Sequence, residues 1–573
     1  MNNKRENKIK WIIAQDDKEF NEKAANQIGF DRSFARILMN RGLIDPKEIE
    51  KFLDPRLDDL VNPLSLQGVE KAVSRIKQAF VNGEKILIYG DYDVDGIAST
   101  SLLFLVLKDF TSDVYYYIPD RSDEGYGISK KGIDFAIKYQ ISLMITVDCG
   151  ISSFSEIKTL RDLGIDTIVT DHHEPPDKLP NAYVMINPKI CDYPFKDLAG
   201  VGVAFKLAQA IYILLHKKDE VIRKYLDLVA LGTIADSVSI LGENRILVKY
   251  GLDQLVKTHR IGLKLLAESY GDGNLSYSSF IQYINFNLIP VLNSTGRVGH
   301  SHDSVDLLLT DSSCRAQFLV KKMLKLNEER KLLTQKTLEE VREIARKENI
   351  IKKQRILILA SDHWHPGIIG IVASRIMEEF SKPVIIISTS NGIGKGSGRN
   401  QGEFDFSKIL FDCSGLLIRY GGHQYAAGIT IDSKNIDRFN EIMNKNLEQV
   451  MPVNLESEPV IHIDTIINYD TINWKLMNFL EKLRPFGPGN PQPIFCGYDF
   501  PLSSWKRVGK DEKHLKLVFG NTGTRDYLNG IAFQMAEKSL NFNRNDRINI
   551  AFHLETNCWN GNESIQLNIK DIK

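Results

Sequence analysis

Residues 85–110, KILIYGDYDVDGIASTSLLFLVLKDF, carry the clearest structural signal in this 573-residue chain. A short apolar run ends in a Gly-Asp turn and leads into a long apolar segment, which predicts a strand, a loop and a helix. Further apolar runs follow, DVYYYIP, SLMITVD, IDTIVTD and AYVMIN, with candidate helices near 129–139 and 153–163. Because strands that alternate with helices form parallel sheets, this pattern predicts a parallel α/β domain.

The loop after the first predicted strand places three aspartates at alternate positions, Asp91, Asp93 and Asp95. Carboxylates this close repel one another unless a cation lies between them. An EF-hand loop also begins D-x-D-x-D-G, but its twelfth position is glutamate, and here that position is Leu102. For this loop taken alone, a solvated acidic turn is the simpler alternative.

Two later strands and one helix carry more side chains that can bind metals. The run ITVDCG contains Asp148, and VTDHHEPP places Asp171, His172 and His173 at the tip of the next strand. The apolar segment VALGTIADS contains Asp236, a carboxylate that would be costly to bury without a partner. Ligands of open α/β sheets bind beyond the carboxyl ends of the strands, so one shared metal cluster accounts for all of these residues.

The types of side chain indicate which metal this cluster would hold. Carboxylate and imidazole without thiolate favour Mn²⁺ or Mg²⁺ over structural zinc. The candidate ligands are more numerous than one ion needs, which favours two ions about 3.5–4 Å apart. Such a pair activates water and stabilises the charge that develops during in-line attack on phosphorus.

Composition excludes several classes of protein. Hydrophobic residues make up 43% and charged residues 25% of the chain, values typical of globular domains, and the length corresponds to roughly three to four of them. Lys plus Arg and Asp plus Glu both number 73, so any basic surface must be local. With no C-x-x-C pair, no signal-peptide pattern and no apolar stretch of about 18 residues, we expect a reduced, cytoplasmic protein without a membrane span.

Changes in pattern along the chain predict five segments. They are an N-terminal helical segment at 1–80, the parallel α/β domain at 81–310, a connecting helix at 311–350, a second, smaller α/β domain at 351–452 and a C-terminal β-barrel at 453–573. The short strands of the last segment fit a small barrel such as an OB-fold. The connecting helix carries ten basic and five acidic residues over 315–347, which fits either a solvated connector or a helix that faces nucleic acid.

Two glycine-rich stretches in the second α/β domain, NGIGKGSGRN and RYGGHQYAAG, are predicted to be loops. Their glycines would let backbone N–H groups approach a phosphate closely. The first stretch is not a Walker loop, because Lys395 is followed by Gly396 and not by Ser or Thr. Tight turns with solvated side chains are the alternative.

Taken together and in this order, the motifs resemble the DHH phosphoesterase superfamily, named for a triplet found here at 171–173. Further matching motifs extend the resemblance over nearly the whole chain. They include RGLIDPKEIEKFLDP, DEGYGIS, LAGVGVAFKL, LNSTGRVG, HPGIIGIVASR, GGHQYAAG and LRPFGPGNPQPIF. The ordered set is most similar to members of the superfamily that degrade single-stranded DNA.

The resemblance implies a role for each residue of the acidic and histidine cluster. The implied ligands of two divalent cations, Mn²⁺ or Mg²⁺, are Asp93, Asp95, Asp148, His172 and Asp236. The implied catalytic residues are His173, beside the scissile phosphate, and Asp91. Whether Asp91 is a ligand, a supporting group or a DNA contact stays open.

The resemblance also implies substrate contacts outside this cluster. The implied substrate-binding residues are Arg297 near the metals and, in the DHH-associated domain, Ser397, Arg399, Gly422 and His423. The second group would bind a terminal phosphate.

In the predicted OB-fold, Trp505, Lys506, Arg507 and Lys516 are the candidate nucleic-acid contacts, because bases stack on aromatic rings and cations follow phosphates. Residues 501–518 carry five basic and two acidic side chains. On composition alone, a β-hairpin with a solvated charged face is the better interpretation, and only the resemblance favours DNA binding.

The implied activity is metal-dependent 5′→3′ exonuclease action on single-stranded DNA with a 5′ phosphate, with release of 5′ mononucleotides, in DNA repair and recombination. A helicase and a single-strand-binding protein are the implied partners, and neither a membrane nor a small-molecule cofactor is expected. Two alternatives stay open. One is a DHH phosphodiesterase for short oligonucleotides, and the other is a non-catalytic scaffold that binds single strands.

Overall fold

The computed structural model describes residues 9–14, 32–215, 219–271, 277–347, 354–450, 459–520, 527–543, 546–559 and 562–573. Residues 1–8 and 15–31 of the predicted N-terminal helical segment lie outside these ranges, as do the predicted boundaries near 350 and 452. Within the described ranges, no helix is both long and apolar enough to cross a membrane.

The elements are numbered here in chain order. The strands are β1 Lys10–Ile13, β2 Ile86–Tyr89, β3 Val114–Tyr117, β4 Leu143–Val147, β5 Asp166–Thr170, β6 Val184–Ile186, β7 Leu357–Ser361, β8 Val384–Ser390, β9 Ile393–Arg399, β10 Leu417–Gly422, β11 Ala426–Asp432, β12 Val460–Ile463, β13 Thr465–Ile466, β14 Phe495–Val508, β15 His514–Phe519, β16 Leu528–Ala532, β17 Arg547–Trp559 and β18 Asn562–Ile572. The helices are α1 Arg32–Met39, α2 Pro46–Leu53, α3 Val69–Asn82, α4 Val94–Lys108, α5 Lys130–Lys138, α6 Phe154–Asp162, α7 Gly200–Leu214, α8 Leu226–Asp236, α9 Gly242–Val256, α10 Ile261–Glu268, α11 Tyr277–Tyr283, α12 Ile289–Val298, α13 His302–Leu309, α14 Ser313–Lys347, α15 Ile369–Phe380, α16 Phe406–Asp412, α17 Ile436–Val450 and α18 Trp474–Leu483.

A five-stranded parallel sheet, in the order β3-β2-β4-β5-β6, lies at the centre of the first domain. Strands β2 and β4 are buried along their whole length, as expected when helices cover both faces of a sheet. This sheet confirms the parallel α/β domain predicted from the alternating pattern. The carboxyl ends of its strands therefore lie along one edge, where the candidate site residues follow them.

Helices enclose this sheet and hold the site from several sides. Helices α4 and α7 are apolar on all sides and almost wholly buried, which is typical of helices surrounded by protein. They pack against each other and against α8, and together with α9 they belong to one large hydrophobic core. The predicted connecting helix is α14, which spans 35 residues and packs on α10, α12 and α15.

The second domain contains a mixed sheet in the order β10-β11-β9-β8-β7, in which only β7 and β8 are parallel. The two glycine-rich stretches predicted to be loops instead form β9 and the pair β10 and β11. That prediction was wrong because the glycines serve packing. A Cβ on Gly396 would lie 2.6 Å from Ile429, and one on Gly398 would lie 2.9 Å from Phe406. Glycine lets the strand approach bulky side chains closely.

The C-terminal domain is a closed barrel of β14, β15, β16, β18 and β17, in which β14 pairs with β17 and β16 runs parallel to β18. This confirms the predicted OB-fold. Helices α1, α2 and α18 pack on the barrel core, with Phe34 stacked on Phe479 at 4.2 Å between ring centroids. Strand β1 pairs in parallel with β12. Strand β1 and helices α1 and α2, from the N-terminal part of the chain, thus pack with its C-terminal part.

One buried arginine joins the first domain to the N-terminal helices and to the helix that precedes the barrel. Arg245, in α9, is 2% exposed and donates hydrogen bonds to the backbone carbonyls of Phe52, Lys482 and Leu483. Its guanidinium also lies 3.9 Å from the centroid of the Phe52 ring. Because the acceptors belong to the ends of α2 and α18, a single side chain connects three distant parts of the chain.

Replacing Arg245 with leucine should destabilise the protein, because buried carbonyl groups left without a donor cost about 1–3 kcal/mol each. We expect the free energy of unfolding to fall by about 3 kcal/mol or more, seen as a lower midpoint of chemical denaturation. Arg161→Leu, at a half-exposed position, is the control and should move the midpoint little. An unchanged midpoint for R245L would contradict this structural role.

Candidate metal centre and phosphate site

The acidic loop after β2 is shaped by a glycine and by the start of α4. Asp93 caps α4 and accepts hydrogen bonds from the N–H groups of Asp95 and Gly96, at 3.0 and 3.2 Å. Gly96 has to lack a side chain, because a Cβ there would lie 2.5 Å from the carbonyl oxygen of Asp91. The tight turn brings all three aspartates to the edge of the sheet.

Asp95 and Asp148 lie against the start of α7. Asp95 accepts hydrogen bonds from the N–H groups of Gly200 and Val201, at 2.7 and 2.9 Å, so the positive end of the helix dipole stabilises its charge. Asp148 follows β4 with a φ of 61°, a backbone conformation uncommon for residues other than glycine. A Cβ on Gly200 would lie 2.6 Å from Asp148 Oδ1. Glycine is therefore required where the helix meets the carboxylates.

His172 and Asp236 complete the cluster. His172 Nε2 lies 3.1 Å from Asp148 Oδ1 and 3.7 Å from Asp236 Oδ2. Three sets of side chains have possible ligand atoms within 4.8 Å of one another: Asp148 with His172 and His173, Asp95 with His172 and Asp236, and Asp91 with Asp93 and Asp148. The structure thus brings together all seven residues that were predicted to bind metals or to act in catalysis.

The polar atoms of this cluster fit divalent cations. Among the buried polar atoms that make no hydrogen bond in the described part of the chain, four belong to this cluster, namely Asp91 Oδ1, Asp148 Oδ1, His172 Nε2 and Asp236 Oδ2. Burying charged oxygens without partners is strongly unfavourable. Mn²⁺ or Mg²⁺ would supply the missing partners, and carboxylates with imidazole are suitable ligands for these ions.

The pKa shifts within the cluster also indicate that it suits divalent cations. Burial raises the pKa of Asp91, Asp95 and Asp148 well above the usual range, and neighbouring aspartates raise it further. Burial and a neighbouring aspartate raise the pKa of Asp236 to about 6, whereas burial lowers the pKa of His172 to about 3. Bound cations would lower the pKa of these carboxyl groups again, because a nearby positive charge favours their ionised form.

Two residues outside the seven predicted ligands and catalytic residues orient His173. Asp171 Oδ1 lies 2.8 Å from His173 Nδ1 and also accepts hydrogen bonds from the N–H groups of His172 and His173. The Tyr126 hydroxyl lies 3.1 Å from the same Nδ1. Although burial lowers the pKa of His173, the hydrogen bond to Asp171 outweighs it and raises the pKa to about 9. Both residues could have been found in the sequence, because Asp171 is the first residue of the Asp-His-His triplet and Tyr126 is the tyrosine of the motif DEGYGIS.

Positive charge is concentrated beside these carboxylates. Burial and the charges of Arg121, Arg330 and Arg399 lower the pKa of Arg297 to about 9. The guanidinium of Arg121 lies 5.0 Å from the centroid of the Tyr92 ring. Guanidinium groups gathered in this way repel one another unless an anion lies between them, so the group fits a phosphate. Arg121 and Arg330 were not predicted, because nothing in their local sequence separates them from ordinary surface arginines.

The second domain meets the first beside Arg297. Arg297 Nη1 donates a hydrogen bond to the carbonyl of Gly367 at 3.3 Å, and a Cβ on Gly367 would lie 1.9 Å from the Arg297 carbonyl oxygen. Arg399 Nη1 donates to Ser397 Oγ at 3.0 Å, and a Cβ on Gly370 would lie 3.2 Å from both of these side chains. Ser397 and Arg399 therefore lie together at the start of α15, where a helix N-terminus favours anions.

The other two predicted phosphate binders lie at the turn between β10 and β11. Gly422 pairs with Ala427, which pairs in turn with Gly398 of β9. The N–H of His423 donates a hydrogen bond to the carbonyl of Ala426. The turn therefore belongs to the same sheet as Ser397 and Arg399. Gly422 and His423 are both exposed.

Three of the four predicted barrel residues are exposed, but only Lys506 and Lys516 share one face. Lys506 and Lys516 lie directly opposite each other on β14 and β15. Trp505 and Arg507 alternate to the other face of β14, where Trp505 lies edge-on to Phe542 at 5.7 Å. Opposed like charges are unfavourable by themselves, so the lysine pair fits an anionic ligand. A stacking role for Trp505 stays a prediction.

Three protein-family models match the chain. The DHH family N-terminal domain matches residues 85–233, the DHHA1 domain matches 353–449 and the RecJ OB domain matches 463–571. These matches, together with the sheet-edge cluster, define the chain as a DHH phosphoesterase with an appended OB-fold domain.

Similar proteins narrow this class. The single-stranded-DNA-specific exonuclease RecJ of Bacillus subtilis is 35% identical over 98% of this chain and 71% of its own length, and RecJ of Haemophilus influenzae is 33% identical over 91% of this chain and 93% of its own. The crystal structure of Thermus thermophilus RecJ with Mn²⁺ superposes with a TM-score of 0.83 at 27% identity, covering 99% of this chain and 80% of that one. The chain belongs to the RecJ family of single-stranded-DNA-specific exonucleases.

Replacing Asp148 with asparagine should weaken Mn²⁺ binding by at least the roughly 100-fold typical of disturbed metal sites, because the substitution removes one of the buried negative charges. Free Mn²⁺ measured by electron paramagnetic resonance gives the affinity directly. The exposed Asp162, at the end of α6, provides the control D162N, which should bind Mn²⁺ like the wild type. Wild-type affinity in D148N would show that Asp148 is not a ligand.

Proposed function

We propose that this chain hydrolyses single-stranded DNA from its 5′ end and releases 5′ mononucleotides. Two divalent cations, Mn²⁺ or Mg²⁺, would be held by Asp93, Asp95, Asp148, His172 and Asp236. The observation that carries the proposal is a set of buried, unpaired carboxylate and imidazole atoms beside a group of arginines. In addition, relatives are named single-stranded-DNA-specific exonucleases, and similar solved structures are complexes with Mn²⁺ or Mg²⁺.

The chemistry divides between the cations and the residues of the chain. When bound, divalent cations supply Lewis acidity, which polarises the phosphate and lowers the pKa of water. His173, which Asp171 holds through Nδ1, stabilises the charge that develops on the scissile phosphate. Arg297 neutralises a neighbouring phosphate. Asp91 is buried with one free oxygen atom and either supports the ligands or joins them.

The family resemblance implies the direction of degradation, and we propose that a pocket for the terminal 5′ phosphate enforces it. Ser397 and Arg399 offer a hydroxyl and a guanidinium at a helix N-terminus, and Gly422 and His423 lie on the same sheet. A 5′ phosphate bound there would set the register of the strand, so that the first internucleotide bond lies at the cations. The strand would continue through the cleft between the two α/β domains.

The wider biological setting is part of the proposal. We propose that the chain acts in the cytoplasm, in DNA repair and recombination, with a helicase and a single-strand-binding protein. An enzyme specific for single strands needs ends that another protein unwinds and keeps accessible. We also propose domain boundaries at residues 80, 310, 350 and 452.

The geometry disfavours both alternatives. A non-catalytic scaffold would have no need for seven clustered carboxylates and imidazoles, of which several are buried without partners. A phosphodiesterase for short oligonucleotides would have no need for an additional barrel with an exposed lysine pair.

Replacing Arg399 with glutamine should raise the KM for a 5′-phosphorylated strand about tenfold or more, because a charge-assisted hydrogen bond contributes about 1.5–3 kcal/mol. The KM for a strand with a 5′ hydroxyl should change little. Product analysis on strands labelled at the 5′ or 3′ end measures both the kinetics and the polarity. Arg438→Gln, exposed on α17, is the control. Mononucleotides released first from the 3′ end would refute the proposed polarity.

Reversing both charges of the lysine pair, Lys506→Glu with Lys516→Glu, should weaken binding of single-stranded DNA about tenfold, because each lysine that contacts a phosphate adds about one unit to the salt dependence. Fluorescence anisotropy at several salt concentrations, with EDTA present, measures both quantities. Lys158→Glu, exposed on α6, should have no effect. A salt dependence unchanged from wild type in the double variant would mean that this face does not contact DNA.

A further inference from the structure

The motif LRPFGPGNPQPIF has no place in the chemistry described above. Its residues 484–491 form a loop between α18 and β14, immediately before the barrel. The loop does not lie on the surface of the barrel, because it contacts the first domain just after α8, the helix that ends with Asp236.

The contact between the loop and the first domain is close and specific. The N–H of Ile240 donates a hydrogen bond to the carbonyl of Pro488 at 2.8 Å. A Cβ on Gly487 would lie 2.8 Å from the Ile240 side chain. Gly489 has a φ of 76°, and a Cβ there would lie 2.6 Å from Ser239 Oγ. Side chains on these glycines would therefore push the loop away from the segment that follows Asp236.

The loop is itself rigid. Asn490 is fully buried, and its side-chain N–H groups donate to the carbonyls of Leu483 and Pro485 at 2.7 and 2.8 Å. Gly487 and Asn490 exchange backbone hydrogen bonds at 3.0 Å. Arg41, from the N-terminal helical region, donates to Asn490 Oδ1 at 2.8 Å. The loop therefore has a fixed shape to which the first domain can be held.

Asp236 needs such support because it lies at a helix end. The next residue, Ser237, adopts the left-handed conformation with a φ of 61°, and among the described residues its N–H makes no capping hydrogen bond to the last turn. Helix ends fray when their last turn is not held. Ser237 and Ile234 also border a cavity of about 150 Å³ whose opposite wall is Phe486 and Pro488 of the loop.

We propose that loop 484–491 is a positioning element for the metal centre, which holds Asp236 at the distance from His172 that the cations require. The inference rests on the proposed role of Asp236 as a ligand. Because the loop leads directly into β14, the OB-fold domain would contribute to metal affinity as well as to DNA binding. The loop acts through the backbone of residues 237–241 and touches neither cation nor substrate.

The test compares two glycines with matched backbone conformations. Gly489→Ala adds a methyl group against Ser239, whereas Gly164→Ala, at a φ of 77° with nothing within 4 Å of its Cβ, adds only local backbone strain. We expect G489A to raise the Kd for Mn²⁺, measured by electron paramagnetic resonance, about tenfold, which is the lower range for residues that support metal ligands. G164A should bind Mn²⁺ like the wild type, and single-stranded DNA binding in EDTA should be equal in both variants.

Two further variants distinguish an error in the ligand role of Asp236 from an error in the role of the loop. Asn490→Ala, which loosens the loop from within, should also raise the Kd for Mn²⁺ and decides the question if G489A does not fold. Asp236→Asn tests the ligand role itself, so wild-type Mn²⁺ affinity in D236N would overturn that assignment and this inference with it. Weakened Mn²⁺ binding in D236N alongside wild-type affinity in folded G489A and N490A would overturn the inference alone.

Discussion

Electrostatic repulsion between buried carboxylates is the constraint on which this structure depends. Asp91, Asp95 and Asp148 are nearly inaccessible to solvent, and their burial together is unfavourable without cations. The fold lowers part of this cost by directing the N-terminus of α7 at Asp95. Gly96 has no room for a side chain because the backbone of Asp91 lies against it, and Gly200 has none because the side chain of Asp148 does. The remaining atoms without partners are those a divalent cation would satisfy.

A second group of charges, of opposite sign, faces the first across the contact between the two α/β domains. Arg297 comes from the first domain and Arg399 from the second, and the charge of Arg399 contributes to lowering the pKa of Arg297. The backbones of the two domains touch at Gly367, beside Arg297. Negative and positive groups side by side suit a phosphate next to divalent cations, and residues of both domains contribute to this arrangement.

The N-terminal helices and the C-terminal barrel pack on each other, and both are also attached to the first domain. The helices before residue 54 pack on the barrel core, and Arg245 reaches from α9 to the ends of α2 and α18. Arg41 and Asn490 extend the same connection to the loop beside Ser239. The barrel is therefore not a flexible appendage, since several buried polar contacts fix it to the domain that carries the cluster of carboxylates and imidazoles.

The amino-acid sequence by itself determined the parallel sheet, the barrel and which carboxylates and imidazoles converge at the edge of the sheet. This was possible because hydrophobic periodicity reports on strands, and because the carboxyl ends of parallel strands converge whatever the details of packing. It did not reveal that the glycine-rich stretches are strands, that Trp505 turns to the packed face, or that Asp171 and Tyr126 hold His173. Nor did it single out Arg121, which only its neighbours in space make part of the site. These features depend on strand register and on contacts between residues far apart in the chain, so only the tertiary structure decides them.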